Sequence, residues 1–321
     1  MTPTRVKIER ILCPTDLSEF SDRALRRAFA LARWFDARLT ALHVIPGTSW
    51  AAGADYFALS ADLIRAQRAD AERELSRSLE PLLAEGVPIE TRIREGDPAR
   101  AIRAEAEALA ADLLVMGTHG RSGFERLFLG SVAEKLLRTA PCPVLTVGRE
   151  QPPALAGALF RRILCAADLT KASERTLSLG LSLAEENLAH VTFLHVVEGA
   201  ALDDTDMAPL RTALVDRAME QLMRAAGSAG SFCEVSVRVE TGSAWRQIVR
   251  VAEETHAEVV VLGAHAHRGF SRLLLGSTAN QVVRHAPCPV LTVRETLASE
   301  RSDAEASVVE AGAGRDRGRD A

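Results

Sequence analysis

A glycine-rich segment near the middle of the chain has the residue types of a phosphate-binding turn. It contains Gly117, Gly120 and the pair Gly130-Ser131, and it lies between the apolar run 113–116 and a helical pattern. Glycine lets the backbone approach a ligand closely, and a helix N-terminus presents unpaired N–H groups and a dipole that favour an anion. The segment therefore predicts a strand that leads into a turn and a helix, which together hold a phosphate.

A carboxylate near the start of the chain lies where it can complete such a site. Asp16 follows the short apolar run 10–14, and a strand that ends there places Asp16 at the carboxyl edge of a sheet. In a doubly wound sheet, ligands bind at that edge, where the strand order reverses. An aspartate there can accept hydrogen bonds from an adenine amine or a ribose hydroxyl. The two segments together favour a nucleotide.

The spacing of the glycine-rich segment, Gly-x2-Gly-x9-Gly-Ser, resembles that of the ATP-binding members of the universal stress protein family. The resemblance implies a cytoplasmic stress-response protein that holds ATP as a regulatory or structural ligand, with room for Mg²⁺ between the phosphates. The family pattern assigns two groups of residues to the nucleotide. The nucleoside side comprises Pro14, Thr15, Asp16 and Val44. The phosphate side comprises Gly117, His119, Gly120, Gly130, Ser131 and Val132, with Arg121 and Arg126 placed to neutralise phosphate charge.

The chain repeats itself with a period close to 150 residues. Residues 113–147 align without a gap with residues 259–293, and 20 of these 35 positions are identical. Such a period is the usual size of one domain rather than of a solenoid unit. The repeat therefore predicts two tandem domains. The expected boundaries are 1–150 for the first domain, 151–159 for a linker, 160–297 for the second domain and 298–321 for a disordered tail.

The second copy of the motif is degenerate. Ala266 replaces Gly120, and Ala166 and Ala167 replace Pro14 and Thr15. If position 266 requires a positive φ, alanine there costs about 1–2 kcal/mol, which is about a tenfold loss of affinity. The matching residues that remain are Asp168, Val196, Gly263, Gly276 and Ser277. We expect a competent first site and a weakened second one.

Apolar runs and helical periods alternate in each half. In the first half they predict strands at 10–14, 39–45, 87–94, 113–116 and 144–147, and helices at 19–36, 61–84, 98–110 and 131–139, with a loop over 46–60. Continuous apolar strands that alternate with helices indicate a parallel sheet covered on both faces. The expected fold class is α/β, with two tandem doubly wound, mainly parallel five-stranded sheets of the Rossmann-like type.

The last strand of each half is a short apolar edge that needs a cover. Dimers of the universal stress protein family pair through this strand. The resemblance therefore implies that Val144–Val147 and Val290–Val293 pair within one chain, which makes the chain a pseudo-dimer. The sequence leaves open whether whole chains assemble further into a homo-oligomer.

Composition excludes several classes of partner. A formal net charge of −4 and 4% aromatic residues provide neither an electrostatic nor a stacking platform for nucleic acid. No apolar run reaches the roughly 18 residues that a membrane span requires, and the N-terminus lacks a signal-peptide pattern. These features favour a cytoplasmic protein. The five cysteines are an odd number, and four of them match in pairs between the halves, which indicates small buried residues.

Structural roles compete with the functional ones at several positions. Ser131 and Glu134 form a capping-box pattern, so Ser131 is also a candidate cap for its own helix. Asp16 and Ser18 could cap the first helix. His43 and its repeat partner His195 are better explained as core or crevice-lining residues than as catalysts. No metal site is expected, because His256, His265 and His267 lack a further ligand at suitable spacing.

Binding is better supported by the sequence than turnover. The first half has no nucleophile–base pair, no Walker lysine and no acidic pair for two metal ions, so no catalytic residue is assigned. Two alternatives to an ATP-binding regulatory protein stay open. One is a stress-response interaction module that works without nucleotide, and the other is a weak ATP hydrolase.

Overall fold

The structure is a computed structural model. It describes residues 7–47, 54–83, 86–118, 129–148, 160–170, 173–187, 189–199, 207–227, 233–264 and 276–294, with the backbone alone for 54–64 and 185–187. The predicted linker and tail lie outside the described residues, as do His119, Gly120, Arg121 and Arg126 of the glycine-rich segment and Ala266 of its second copy. Across the described part, no helix combines the length and apolar character needed to span a membrane.

Strands and helices alternate in both halves, as the sequence predicts. The first half contains β1 (Arg10–Thr15), α1 (Glu19–Phe35), β2 (Arg38–Pro46), α2 (Ala54–Leu83), β3 (Ile89–Gly96), α3 (Pro98–Ala108), β4 (Leu113–Gly117), α4 (Ser131–Thr139) and β5 (Val144–Val147). The second half contains β6 (Arg162–Ala166), α5 (Ser173–Asn187), β7 (His190–Val197), α6 (Ala208–Gly227), β8 (Glu234–Thr241), α7 (Ala244–Glu254), β9 (Val259–Gly263), α8 (Ser277–His285) and β10 (Val290–Val293).

Local sequence signals account for the ends of the helices. Ser18 is the N-cap of α1, and its side chain accepts a hydrogen bond from the Ser21 N–H. Asp36 ends the same helix in the left-handed conformation, with φ 52°. The side chain of Asp97 caps α3, and Pro98 occupies the first turn, where its missing N–H has no helical partner to lose.

The predicted loop over 46–60 is partly wrong. Helix α2 begins at Ala54, seven residues before the predicted start, and continues to Leu83. Residues 54–60 contain neither glycine nor proline, and the last glycine before the helix is Gly53. The helix was missed there because apolar periodicity, the signal used to recognise it, is weak in its first two turns.

Each half contributes five strands that follow the doubly wound order. The whole sheet runs β3-β2-β1-β4-β5-β10-β9-β6-β7-β8. Within each half all neighbouring strands are parallel. From β1 the chain extends the sheet in one direction through β2 and β3, and β4 and β5 extend it in the other. The order therefore reverses between β1 and β4, and the predicted α/β class is confirmed.

The two halves join through their last strands into one ten-stranded sheet. Strand β5 pairs antiparallel with β10, with Leu145 opposite Leu291. The Thr146 hydroxyl donates to the Val290 carbonyl at 3.1 Å, and the Thr292 hydroxyl donates to the Val144 carbonyl at 3.2 Å. Both threonines are buried. The chain thus has the pseudo-dimer arrangement that its repeat implies.

Two hydrophobic cores lie on the two faces of the sheet, and each runs through both halves. One face is covered by α1, α2, α5 and α6, and the other by α3, α4, α7 and α8. Fully or nearly buried side chains from these helices include Leu25, Leu75, Leu183 and Leu222 on the first face and Ile102, Leu136, Ile248 and Val282 on the second. Continuous cores of this kind hold the halves in one body and fix the crevices at the carboxyl edge of the sheet.

Candidate functional site

The carboxyl ends of β1 and β4 form the switch point of the first half. These strands are neighbours, with Ile11 opposite Leu113 and Leu12 opposite Leu114. Beyond β1 the chain turns into α1 on one face of the sheet, and beyond β4 it enters the glycine-rich turn and then α4 on the other face. A crevice between diverging loops is the place where open α/β sheets bind ligands. Two predicted site residues, Asp16 and Gly117, lie at this edge.

The loop after β1 is held by two overlapping side-chain turns. The Asp16 Oδ1 atom accepts hydrogen bonds from the Ser18 N–H at 3.2 Å and from the Ser18 hydroxyl at 2.6 Å. One residue earlier, Thr15 Oγ1 accepts the Leu17 N–H at 3.0 Å. Leu17 itself has φ 63°, a left-handed conformation that bulky residues rarely adopt. The half-buried carboxylate of Asp16 is therefore fixed by its own loop rather than left to rotate.

Thr15 supports this loop from inside. It is buried, and its hydroxyl shares a 2.8 Å hydrogen bond with Ser21 Oγ in addition to accepting from Leu17. Its carbonyl lies 2.8 Å from Nδ1 of His43, also buried. The predicted ligand contact of Thr15 is untested, but the hydroxyl already has partners within the protein. Pro14 and Val44 lie buried on β1 and β2 at the same end of the sheet.

Two backbone hydrogen bonds close the base of the glycine-rich turn. The Gly130 N–H donates to the Thr118 carbonyl at 2.9 Å, which joins the two described ends of the turn. The Thr118 N–H donates to the Val147 carbonyl at 3.1 Å, which ties the turn to β5. The two described ends of the turn, at the end of β4 and the start of α4, therefore lie next to each other.

Helix α4 begins without a side-chain cap from any residue that the structure describes. Its N-cap is Gly130, with φ −59° and no side chain to accept a hydrogen bond, and Ser131 is the exposed first residue of the helix. The capping-box interpretation of Ser131 and Glu134 is therefore wrong, because the helix starts one residue too early for it. By contrast, side chains cap α1 and α3. Uncapped N–H groups at a helix start are suited to an anion.

The φ of Gly130 does not explain why this position is glycine. A φ of −59° is accessible to any residue, so the conformation does not demand glycine here. Its equivalent in the second half, Gly276, has φ −55°. Glycine is itself favoured at N-caps, and its lack of a side chain leaves the backbone open to a close approach. Val132, the second residue of the helix, is half-buried beside it.

An ion pair links α4 to the loop before α3. Lys135 Nζ lies 3.6 Å from Asp97 Oδ2. The N–H of Arg100 donates to Asp97 Oδ1 at 2.9 Å, and this bond, with a smaller contribution from Lys135, holds the pKa of Asp97 below its usual value. Position 281 of the second half has glutamine in place of Lys135, and position 243 has serine in place of Asp97. The link therefore belongs to the first half alone.

The second half keeps the shape of the first loop but not all of its support. Asp168 Oδ1 accepts from the Thr170 N–H at 3.0 Å and from its hydroxyl at 2.7 Å, and Leu169 has φ 60°. His195 Nδ1 lies 2.8 Å from the Ala167 carbonyl. Ala167 has no hydroxyl to replace that of Thr15. Asp168 is exposed and Val196 is half-buried, whereas Asp16 is half-buried and Val44 is buried, so the second crevice is more open.

The remaining candidates of the second half occupy equivalent positions. Gly263 ends β9, and Gly276 is the uncapped N-cap of α8, which begins at the exposed Ser277. One residue that the sequence did not single out is Glu198, whose Oε1 atom accepts the Ala244 N–H at 2.7 Å and so caps α7. Proline occupies the equivalent position in the first half, which is why the repeat pattern gave no signal for it.

Comparison with known proteins identifies the family. The model of the universal stress protein family matches residues 7–148 and 159–294, which is most of the chain. The chain belongs to the universal stress protein family. It carries two tandem copies of the domain, and the resemblance seen in the sequence is confirmed.

Individual relatives match both the whole chain and one half. A universal stress protein of Mycolicibacterium smegmatis is 29% identical over 294 residues, covering 88% of this chain and 96% of that protein. A universal stress protein of Methanocaldococcus jannaschii is 37% identical over 141 residues, covering 43% of this chain and 81% of that protein. Among solved structures, a universal stress protein from Archaeoglobus fulgidus has a TM-score of 0.65 and 26% identity, covering 89% of this chain and 96% of that one.

Proposed function

We propose that the first domain binds ATP as a regulatory or structural ligand in the crevice between β1 and β4. Residues of two loops contribute. The nucleoside is held by Pro14, Thr15, Asp16 and Val44, and the phosphates by Gly117, His119, Gly120, Arg121, Gly130, Ser131 and Val132. The protein acts as a cytoplasmic stress-response factor, in line with its family.

The observation that carries this proposal is the uncapped start of α4 beside the closed base of the glycine-rich turn. The N-cap Gly130 supplies no side chain, and its N–H donates to the Thr118 carbonyl at 2.9 Å. The N–H groups of the first helical turn therefore face the turn with no side-chain acceptor from the N-cap. A phosphate supplies that acceptor and interacts favourably with the helix dipole.

The carboxylate on the other side of the crevice supports a nucleoside rather than a bare phosphate. Asp16 is half-buried and held by Ser18, so the entropic cost of orienting it is already met by folding. A fixed carboxylate accepts hydrogen bonds from an amine or hydroxyl but repels an anion. The site therefore has a hydrogen-bond acceptor at the end of β1 and donors at the start of α4. This arrangement is complementary to a nucleoside phosphate, whose nucleoside donates hydrogen bonds and whose phosphates accept them.

Magnesium fits this site as a companion of the phosphates. Among the residues that the structure describes, no group of three or more His, Cys, Asp or Glu side chains is arranged to hold a metal ion. Mg²⁺ in nucleotide sites keeps much of its water and binds chiefly to phosphate oxygens. The ion would accordingly enter with ATP, and the protein would contribute the donors that hold the phosphates.

The second site is the weaker one. Ala167 lacks the hydroxyl that braces the Asp16 loop in the first half, and Asp168 is exposed. The second half also lacks the equivalent of the Lys135–Asp97 ion pair. The loss of the hydroxyl and of the ion pair removes preorganisation from the elements that would hold the nucleotide. We expect one molecule of ATP per chain.

Calorimetric titration of MgATP into nucleotide-stripped protein tests the proposal. Wild type is compared with Asp16→Asn and Gly120→Ala, and with the matched second-half variant Asp168→Asn. The expected result is one site per chain, weakened about tenfold or more by either first-half change and unaffected by the change at Asp168. A folded, stripped wild type that gives no heat, together with unstripped protein that releases no nucleotide on denaturation, would refute ATP binding and leave an interaction module that works without nucleotide.

A further inference from the structure

A buried histidine lies directly behind the loop that carries Asp16. His43 pairs with Thr15 at the last position of the β1–β2 ladder, and its side chain is buried. Its Nδ1 atom lies 2.8 Å from the Thr15 carbonyl oxygen. A carbonyl oxygen only accepts hydrogen bonds, so Nδ1 must carry the proton and donate. The imidazole therefore holds a backbone group at the point where β1 ends.

The peptide held in this way is the one that leads into Asp16. The Thr15 carbonyl belongs to the Thr15–Asp16 peptide bond, which is planar, so fixing that oxygen also fixes the Asp16 N–H and the Asp16 Cα atom from which its side chain extends. The next residue, Leu17, is in the unfavourable left-handed conformation, with φ 63°. A loop that contains such a residue persists only where its surroundings hold it. The Thr15 hydroxyl and the His43 ring are two of those holding contacts.

The second half supplies an internal comparison. His195 lies 2.8 Å from the Ala167 carbonyl, and Leu169 has φ 60°. The bond is thus part of the shared architecture, while the hydroxyl brace is confined to the first half. Each histidine lies in the sequence Leu-His-Val, at 42–44 and at 194–196. This repeat was the one signal for the role in the sequence.

We propose that His43 is a positioning residue of the first nucleotide site. By donating from Nδ1 to the Thr15 carbonyl, it fixes the backbone from which the Asp16 carboxylate reaches the nucleoside, without itself contacting the ligand. This inference rests on the proposed ATP binding of the first domain. The affinity of the site would then depend on a buried residue, His43, that lies away from the ligand.

Substitutions at His43 and its repeat partner separate positioning from general stabilisation. His43→Phe keeps a ring of similar size but removes the donor. His43→Asn restores one, because the asparagine amide nitrogen can occupy the place of Nδ1. The matched control is His195→Phe, which removes the same bond from the second half. For each variant, MgATP affinity is measured by calorimetry and the melting temperature by circular dichroism.

The expected result is that His43→Phe lowers ATP affinity about fivefold, the fold-change of one typical buried hydrogen bond. His43→Asn recovers most of the affinity, and His195→Phe leaves it unchanged although both phenylalanine variants lower the melting temperature similarly. Wild-type affinity in a folded His43→Phe protein would overturn the inference, as would equal losses in His43→Phe and His195→Phe. If His43→Phe does not fold, His43→Gln takes its place, because its longer amide overshoots the Nδ1 position.

These outcomes are distinct from a failure of the proposed function. If wild type binds no ATP, both proposals fall together. If wild type binds ATP and Asp16→Asn weakens it while His43→Phe does not, ATP binding stands and the positioning role of His43 is refuted. A His43→Asn variant as weak as His43→Phe would also refute it, because the donor at the Nδ1 position would then have no effect on the site.

Discussion

Arg294 of the second half donates from Nη1 to the carbonyl of Ala140 in the first half at 2.9 Å. Ala140 is the C-cap of α4, the helix whose N-terminus faces the glycine-rich turn. A cation at a helix C-terminus interacts favourably with the helix dipole and satisfies one of the last carbonyls. Position 148, the equivalent of Arg294, is glycine. The second half therefore contributes this contact to the first half, and the first half has no arginine at position 148 to make the equivalent one.

Replacing this arginine should destabilise the chain measurably. We expect Arg294→Met to lower the free energy of unfolding by about 1 kcal/mol, since it removes a half-buried, charge-assisted hydrogen bond to a helix end. Equilibrium unfolding in guanidinium chloride measures the change.

The control is Arg138→Met on the same helix, where the arginine makes a partly exposed ion pair with Glu134 at 3.8 Å. A loss of about 0.3–0.5 kcal/mol is expected for that pair. Equal losses for the two variants would contradict the special role of Arg294.

The threonine hydroxyls across the β5–β10 boundary should also contribute to stability. Thr146→Val and Thr292→Val preserve side-chain shape and remove the bonds to the Val290 and Val144 carbonyls. Each change should cost about 1 kcal/mol, the usual net value of a buried hydrogen bond, measured by denaturant unfolding. Thr139→Val is the control, because the Thr139 hydroxyl bonds only to the Lys135 carbonyl within α4. A boundary variant no less stable than this control would show that the threonine hydroxyls do not contribute to joining the halves.

The sequence predicted the strands and most of the helices because their signals are local. Neighbouring residues determine where β4 forms, where α3 begins and where α4 begins and ends. The capping box at Ser131 failed for a related reason: the pattern was present, but the helix began at Ser131 itself, with Gly130 as its cap. A one-residue shift in a helix start cannot be read from a sequence pattern, yet it changes which groups lie at the helix N-terminus.

Contacts between segments that are distant in the chain could not be predicted from the sequence. The bond from His43 to the Thr15 carbonyl depends on the register of two strands, and the cap that Glu198 provides for α7 joins two separate loops. Residue types alone carry no register. The pairing of β5 with β10 was predicted only because the family resemblance supplied the partner strand.

A glycine inside α5 explains how that helix packs closely on β6. A Cβ atom at Gly180 would lie 2.0 Å from the Cys165 sulfur. The equivalent pair in the first half is Ala28 with Cys13, both fully buried. Gly180→Ala should therefore force the Cys165 side chain to move. We expect a loss of about 1–2 kcal/mol from overpacking, despite the gain in helix propensity.

A double-mutant cycle isolates this contact. In Gly180→Ala/Cys165→Ala the clash is removed, so the double variant should be more stable than the sum of the single changes predicts. Gly227→Ala at the end of α6 is the control, since nothing lies within 4 Å of the added Cβ. No loss of stability is expected there. Simple additivity of the Gly180 and Cys165 changes in chemical denaturation would show that the added methyl group does not clash with the Cys165 sulfur.

The cysteines differ sharply in exposure, and this sets their reactivity. Cys13, Cys142, Cys165 and Cys288 are buried, whereas Cys233 is half-buried. Burial raises the pKa of Cys142 and of Cys288 to about 12 and also raises the pKa of Cys13 and of Cys165. The thiolate is the reactive form of cysteine. At pH 8 these four side chains are therefore both inaccessible and almost entirely protonated.

Titration with Ellman's reagent should accordingly detect one fast-reacting thiol per native chain at pH 8 and all five cysteines after denaturation. Cys233→Ser should abolish the fast reaction, and Cys142→Ser should leave it unchanged. Two or more fast thiols in the native protein would contradict the assignment, because a second reactive cysteine requires one of the two cores to open at the rate of the reagent. Saturation with MgATP should not alter the count, since Cys233 precedes β8, at the amino edge of the sheet, opposite the edge that carries the proposed nucleotide site.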